Sequence, residues 1–454
     1  MSAPQPLMQQ FYDMLLESQF WPRQQLVDYQ RSQLEQLLRH ARANVPFYET
    51  RLDPVFARDG SVDWDKWEQI PIVKRSDLVE HRGAMQARVL PPGHGPVGRS
   101  SSSGSTGTPV TVSITRLAKL ASDVTRWRAH RWHGLDWSAV VCARFGDNPE
   151  RSSWPDGTAM GPWGPPWIDE ARRGQSFEIN RLAPSAELLE FLKRKGPRYY
   201  SSAPKPAHAL ALESERLHLP LKLDAILTHG EGVSDADRQQ VRRVFGAEII
   251  EHYSSKEGMQ MAHPCPDGRL HVNAEAVLVE IVDGSGRHCP AGAVGRVVIT
   301  PFFQTAQPLI RYEQGDLAIA GGSCTCGRSL PTISSIVGRL THMFIHPNGR
   351  RVAEKLPDRY REGLGALAWQ IAQVGPTNFE IRYVPEDLEF VGNEAAAAQA
   401  IRDVYFVDAS VSFRRVSEIP LRPGGKYVEY VNEWHQERVA QSSSMGMQAS
   451  PSRS

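Results

Sequence analysis

No run of apolar residues in these 454 approaches the ~20 needed to span a bilayer. Neither sign of charge is in excess: 52 basic residues face 51 acidic ones, so there is no broad field to hold nucleic acid or an anionic lipid surface. Small or specific partners are expected instead. Cysteine is scarce, five in all, and too unevenly placed for a disulfide framework. Metal binding is the better reading of the close pair Cys324-Thr-Cys326. Early Pro, Gln, Asp and Glu residues stand where a signal peptide has its apolar segment, so a soluble cytoplasmic protein is expected. The length exceeds the roughly 250–300 residues one core covers, which predicts two domains.

What the chain does have is Ser100-Ser-Ser-Ser-Gly-Ser-Thr-Gly-Thr-Pro109, with seven hydroxyls and two glycines, running into the β-branched stretch Val110–Ile114. Glycines let successive N–H groups form a concave nest, and hydroxyls add donors that adapt to an oxyanion. A flexible Ser/Gly linker is the other reading of such composition. A linker, however, does not require a buried-strand pattern immediately after it. The loop lacks the Gly-Lys-Ser/Thr of a Walker-type phosphate loop.

Periodicity around it is regular. Apolar residues at helical spacing from Phe11 to Tyr48 predict a helical entry segment. After the loop, helices at 115–133, 186–195, 205–215 and 235–245 alternate with strands at 138–143, 198–202, 225–228 and 248–253. That rhythm predicts an α/β sheet with ligands at the carboxyl ends of its strands. The Pro- and Trp-rich segment from Phe145 to Trp167 has the composition of an ordered loop, walling a pocket or capping the sheet. From Arg269 to Ala320 alternation with Gly-rich turns predicts antiparallel strands, including 277–282 and 295–300. Beyond Arg339 a smaller unit is expected, with strands near 343–346, 370–374, 379–384 and 411–416 and helices near 353–361 and 393–404. Residues 441–454 are Ser-rich without apolar period and predict a disordered tail.

The wording from Ser102 to Pro109 resembles the phosphate-binding loop of the adenylate-forming (ANL) superfamily, most nearly its phenylacetate–CoA ligase-like branch. "ARANVPFYETRL" (Ala41–Leu52) and "IPIVKRSDL" (Ile70–Leu78) resemble the opening phrases of that branch. Thr108 departs from the family's usual lysine. The resemblance implies an α/β fold with a large N-terminal domain of mixed sheets and helices, 1–338, and a small C-terminal α+β lid domain, 339–440. It implies ATP-dependent activation of a carboxylic acid to an acyl-adenylate, release of pyrophosphate, and transfer to a thiol. Ser102, Ser103, Gly104, Ser105, Thr106 and Gly107 would cradle the phosphates. Gly230 and Glu231 resemble the adenine-slot phrase, and Tyr253-Ser254-Ser-Lys-Glu257 resembles one in which tyrosine packs on adenine and glutamate holds magnesium. "RYEQGDLA" (Arg311–Ala318) makes Asp316 the ribose clasp, since a carboxylate accepts from two hydroxyls. Arg311 reads as a structural ion-pair partner. Arg339 follows Gly338 as in the family's hinge phrase, available to a phosphate or ribose oxygen, although Thr341 and His342 replace the usual aspartates. Lys426 in "LRPGGKYVEY" resembles the catalytic lysine, bringing its ammonium to the carboxylate and α-phosphate.

Family resemblance and the Phe145–Trp167 segment suggest an aryl or arylacetic acid. Phe145, Tyr200, Ser202, Ala203 and Pro204 are the candidate lining. Coenzyme A is the expected acceptor, with a carrier-protein phosphopantetheine, an amine, or a cysteine of an acyl-protein synthetase left open. A non-catalytic, zinc-stabilised nucleotide-binding protein is the further alternative, motivated by Thr108 and the missing hinge aspartates. Oligomeric state is open, a homodimer included. Cys265, His271, Cys324 and Cys326 together offer three thiolates and an imidazole, a closed tetrahedral zinc shell, with His263 as the alternative fourth ligand. Similar Cys and His sets form structural zinc sites in some phenylacetate–CoA ligase-like proteins. Cys142 and Cys289 read as structural.

Overall fold

The computed structural model describes residues 4–101, 110–146, 154–339, 343–348, 351–352, 356–357, 359–387, 389–420 and 428–434. The entry segment is two helices, α1 (Pro4–Ser18) and α2 (Arg23–Asn44), where one continuous run was expected. Pro22 is the reason: it has no N–H to continue a helix and stands as the cap residue of α2. Leu26, Leu34, Leu37, Leu38 and Ala41 form the buried face of α2, which ends at Val45, ahead of Pro46. A short helix, α3 (Arg75–Glu80), follows.

Strands β1 (Val97–Ser101) and β2 (Thr111–Thr115) form an antiparallel hairpin on either side of the Ser/Gly loop. The sequence gives no sign of β1, because Val-Gly-Arg-Ser-Ser is exposed along most of its length and lacks apolar alternation. Then come α4 (Arg116–Trp132), β3 (Val141–Arg144), β4 (Thr158–Pro162), β5 (Gln175–Ile179), α5 (Ser185–Lys195), β6 (Tyr199–Ser202), α6 (Pro204–Arg216), β7 (Ala225–His229), α7 (Asp235–Phe245) and β8 (Glu248–Ser255). Antiparallel strands β9 (Met259–Pro264), β10 (Leu270–Val272), β11 (Val277–Val282), β12 (Val294–Pro301), β13 (Tyr312–Ala320) and β14 (Thr332–Arg339) complete a twelve-stranded sheet, ordered β11-β12-β13-β14-β10-β9-β8-β7-β6-β3-β5-β4. Strands β5, β3, β6, β7 and β8 are parallel. The segment read as a loop from Phe145 to Trp167 thus contains a strand, β4, antiparallel to β5 at the sheet edge. Gly161 and Pro162 within it mimic turn chemistry, which an edge strand tolerates.

Local chemistry sets the helix ends. Ser234 and Asp237 form a reciprocal capping box on α7, and Gly246 closes it at φ +69°. Thr115 accepts from the Ala118 N–H to start α4. Alternation then assigns the two sheet faces. Cys142, Tyr200, Ile226 and Ile249 pack against Leu188, Phe191, Leu210, Val241 and Phe245 of α5–α7. The opposite residues Val141, Tyr199, Leu227 and Ile250 form a separate cluster with Leu135 and Ala139, just beyond α4. Burying each such Leu, Ile or Phe contributes about 1.5–3 kcal/mol.

The chain divides into two compact units, one taking in 4–101, 110–314 and 318–336, the other 315–317 and the described residues from 337 on. The second unit has the short hairpin β15 (Phe344–Ile345) and β16 (Arg351–Val352), helix α8 (Arg359–Gly363), strands β17 (Ala366–Gln373) and β18 (Asn378–Pro385), helix α9 (Glu394–Val404), and strands β19 (Ser410–Arg415) and β20 (Tyr430–Asn432). Its sheet runs β19-β18-β17-β20 around Trp369, Ile371, Phe379, Ile381 and Ile401. The helix expected near 353–361 is only α8, starting after Pro357; residues 353–355, like the tail 441–454, lie outside the described residues.

Candidate active site

Strand β7 ends at His229, and the chain turns through Gly230 at φ +83° and Glu231 toward α7, so this pair sits at a carboxyl end of the parallel strands. Neighbouring β8 runs two residues further than its apolar pattern predicts, carrying Tyr253 (buried) and Ser254 (half-buried). Beyond it is a tight turn. The Ser255 Oγ accepts from the Gly258 N–H at 2.8 Å and donates to the Gln314 Oε1 at 3.2 Å. Gln314 thereby ties β13 to this turn. Inside it Glu257 is 4% exposed, and the Gln304 Nε2 donates to its carbonyl at 2.5 Å. Arg75 Nη1 lies 3.6 Å from the Glu257 Oε1. The base of Arg75 is fixed because Val73 is laced onto the start of β13: its N–H donates to the Arg311 carbonyl at 2.9 Å, and its carbonyl accepts from Glu313 at 2.8 Å. Sequence reasoning gave Arg75 and Gln304 no role. The only signal was that Arg75 stands inside "IPIVKRSDL".

Asp316, on β13, is 7% exposed, with Arg339 Nε of β14 at 3.3 Å from its Oδ1. These two sequence-predicted residues are therefore neighbours. A carboxylate can accept hydrogen bonds at both of its oxygens, which is the chemistry a pair of hydroxyls requires. Arg311 serves the framework. It is 1% exposed, donates to the carbonyls of Glu68, Ile70 and Gly286, and stands 3.3 Å from Glu280.

The candidate lining divides. Phe145 is half exposed, with its ring centroid 6.3 Å from that of His229. Tyr200 and Ser202 point to the α5–α7 face, where Tyr200 is fully buried and burial pushes its phenol up to about 12. Ala203 is the cap residue of α6 and Pro204 its first residue, a position where the missing N–H costs nothing. Ser102, Ser103, Gly104, Ser105, Thr106, Gly107, Thr108, Thr341, His342 and Lys426 lie outside the described residues.

Cys265, His271, Cys324 and Cys326 do come together, their donor atoms all within 4.8 Å of one another. Cys265 opens a turn closed by its N–H to the Arg269 carbonyl, His271 is on β10, and the other two occupy the β13–β14 loop. The Thr325 hydroxyl, donating to Asp267 at 2.8 Å, fastens the two loops together. Sγ of Cys265 is 3.7 Å from that of Cys324, and Sγ of Cys326 is 3.3 Å from His271 Nε2. Tetrahedral bonds of about 2.3 Å to sulfur and 2.05 Å to nitrogen give edges of about 3.8 and 3.5 Å, so the donors fit zinc in number, chemistry and spacing. His263, the alternative ligand, is outside the group and packs against His252 with ring centroids 4.8 Å apart. Burial raises the Cys265 thiol to about 11 and lowers His271 to about 4. Cys142 is buried in the core, its thiol pushed up to about 12 by desolvation.

No family model matches the chain. Phenylacetate–coenzyme A ligase of Thermus thermophilus is 27% identical over 345 residues, spanning 71% of this chain and 72% of that protein. A crystal structure of 2-hydroxyisobutyryl-CoA ligase with its acyl-adenylate superposes with a TM-score of 0.68 at 20% identity, covering 92% of this chain and 91% of that one. This chain has the fold of these acid–CoA ligases and is similar in sequence to a phenylacetate–coenzyme A ligase. An anthranilate CoA ligase bound to anthranoyl-AMP gives a TM-score of 0.52 at 16% identity over 76% of this chain and 67% of that one. Protein CapK of Staphylococcus aureus is 22% identical over 223 residues, 44% of this chain and 45% of that protein.

Proposed function

We propose that the protein activates a carboxylic acid with ATP, forming an acyl-adenylate and pyrophosphate, and then passes the acyl group to coenzyme A. The observation that carries this reading is the likeness to a phenylacetate–CoA ligase over most of both chains, on a fold shared with ligases crystallised as acyl-adenylate complexes. In this reading Gly230, Glu231, Tyr253 and Ser254 receive adenine, and Asp316 accepts from the ribose hydroxyls with Arg339 beside it. Glu257 holds magnesium, which neutralises phosphate charge. Ser102–Gly107 cradles the phosphates and Lys426 neutralises charge at the reacting centre. Such chemistry is positioning plus electrostatic stabilisation, so no side-chain nucleophile is required. The domain assignment follows: 1–338 as the adenylation core, 339–440 as the lid, with the Gly338–Thr341 region as the hinge.

Zinc belongs to this proposal as a structural ion held by Cys265, His271, Cys324 and Cys326, joining the β9–β10 turn to the β13–β14 loop. The test of the function is acid- and coenzyme A-dependent release of AMP, with the thioester identified by mass spectrometry. AMP release that needs ATP and an acid but yields no thioester with coenzyme A, and an amide when an amine is supplied, would replace coenzyme A as the acceptor. Release independent of any acid would overturn the reading.

A further inference from the structure

On the sheet face toward α4, aromatic and imidazole rings run inward from the carboxyl ends of the strands. Phe145, half exposed, stands at the surface with its ring 6.3 Å from His229. His229 pairs in register with His252 on the next strand. The His252 ring centroid lies 6.1 Å from that of His130 on α4 and 4.8 Å from that of His263 on β9, and His130 in turn is 5.8 Å from Trp163. The three inner histidines are only 5%, 8% and 0% exposed for His130, His252 and His263.

They are polar groups without partners. Both ring nitrogens of His130, both of His263, and Nε2 of His252 have no hydrogen-bond partner among the described residues. Each imidazole carries a donor or acceptor at each nitrogen, and leaving one buried and unmade costs about 1–3 kcal/mol. Five such atoms in one place are not explained by packing, which Leu or Phe would serve without the penalty. A simple metal site does not explain them either, since these nitrogens form no converging donor group.

We infer that this imidazole tract receives the acid's side chain, and that the preferred substrate class is a carboxylic acid bearing a neutral hydroxyl, not a bare hydrocarbon or a dicarboxylate. The inference rests on the acid-activating function proposed above. A hydroxyl both donates and accepts, so it matches neutral imidazoles; burial holds His130 and His252 in that neutral form. A second carboxylate would need charge compensation, and the nearby cations are committed: Arg126 to Asp123 and Arg128 to Glu275. Sites built to hydrogen-bond a substrate discriminate strongly against the analogue lacking the group, because their own polar atoms are then left unmade.

The test uses the full-length protein with phenylacetate against 4-hydroxyphenylacetate, and hexanoate against 6-hydroxyhexanoate and adipate. Two readouts are taken: calorimetric binding and acid-dependent ATP–pyrophosphate exchange. The expected result is a preference of about 10–100-fold for a hydroxylated acid over its unsubstituted partner. His252→Leu brings that ratio toward unity, whereas His252→Gln, which keeps hydrogen-bonding atoms, retains part of it. His252→Leu also keeps or raises the melting temperature, because it removes a buried unmade group. Equal or better use of the unsubstituted acids, preference for adipate, or an unchanged ratio in His252→Leu overturns the inference. Hydroxyl-selective binding with no exchange for any acid upholds the pocket while refuting adenylation; no binding of any acid refutes the pocket.

Discussion

Replacing Cys324 and Cys326 together by serine removes two of the four donors at the β9–β10 and β13–β14 junction. The donor spacings of 3.7 Å and 3.3 Å lie within a few tenths of an ångström of the edges of a zinc tetrahedron. An ion held at about a thousand times its dissociation constant stabilises the folded state by about 4 kcal/mol. At about 2 °C per kcal/mol for a large domain, the variant melts roughly 8 °C lower than the unaltered protein. A strong chelator reproduces the shift in the unaltered protein and leaves the variant unmoved. Elemental analysis then reads about one zinc per chain, lost in Cys324→Ser/Cys326→Ser and kept in Cys289→Ser, whose half-buried thiol is outside the donor group. Equal zinc in the two proteins, or none in either, would refute the assignment.

Arg311→Met strips the Glu68, Ile70 and Gly286 carbonyls of their donor and leaves Glu280 buried without its guanidinium, so a loss of about 3–5 kcal/mol is expected in urea unfolding. A change under 1 kcal/mol would contradict that role. Acid should weaken the fold through His130 and His252, whose folded-state values are lowered, to about 3 for His252. The unfolded chain binds protons there near pH 6.5 while the folded chain does not, so this stability is present above pH 6.5 and lost as pH falls. Between pH 7 and 5.5 each histidine costs about 1 kcal/mol, read as a falling unfolding midpoint. Asp316→Asn should raise the KM for ATP about 10-fold or more with a smaller change in kcat, since a ground-state ribose contact is weakened; an unchanged KM removes Asp316 from the nucleotide site.

Most of the parallel sheet was legible because buried strands and amphipathic helices alternate there: helix 235–245 has the expected bounds, which the structure explains by the Ser234 and Gly246 caps. Strands β1 and β4 escaped for the opposite reason, one mostly exposed and one carrying Gly and Pro at an edge. In the candidate site, the Cys and His donor set follows from residues whose chemistry announces itself, whereas Asp316 and Arg339 were named through the resemblance and only the structure makes them neighbours. Arg75 and the imidazole tract were not legible, because they depend on contacts across 182 and 122 residues, Arg75 to Glu257 and His130 to His252, that no local pattern encodes. Tyr200 shows the converse. Its place in "YYSSAP" suggested a lining residue, yet strand alternation turns it into the α5–α7 core.

The central claim is tested most directly by acid-dependent exchange of labelled pyrophosphate into ATP, which reports adenylation before any acceptor is involved. Exchange is expected to require both the acid and magnesium, and to fall about 100-fold or more in Lys426→Ala, the scale of one preorganised electrostatic contact. Exchange that proceeds without acid, or at an unchanged rate in Lys426→Ala, would contradict the account.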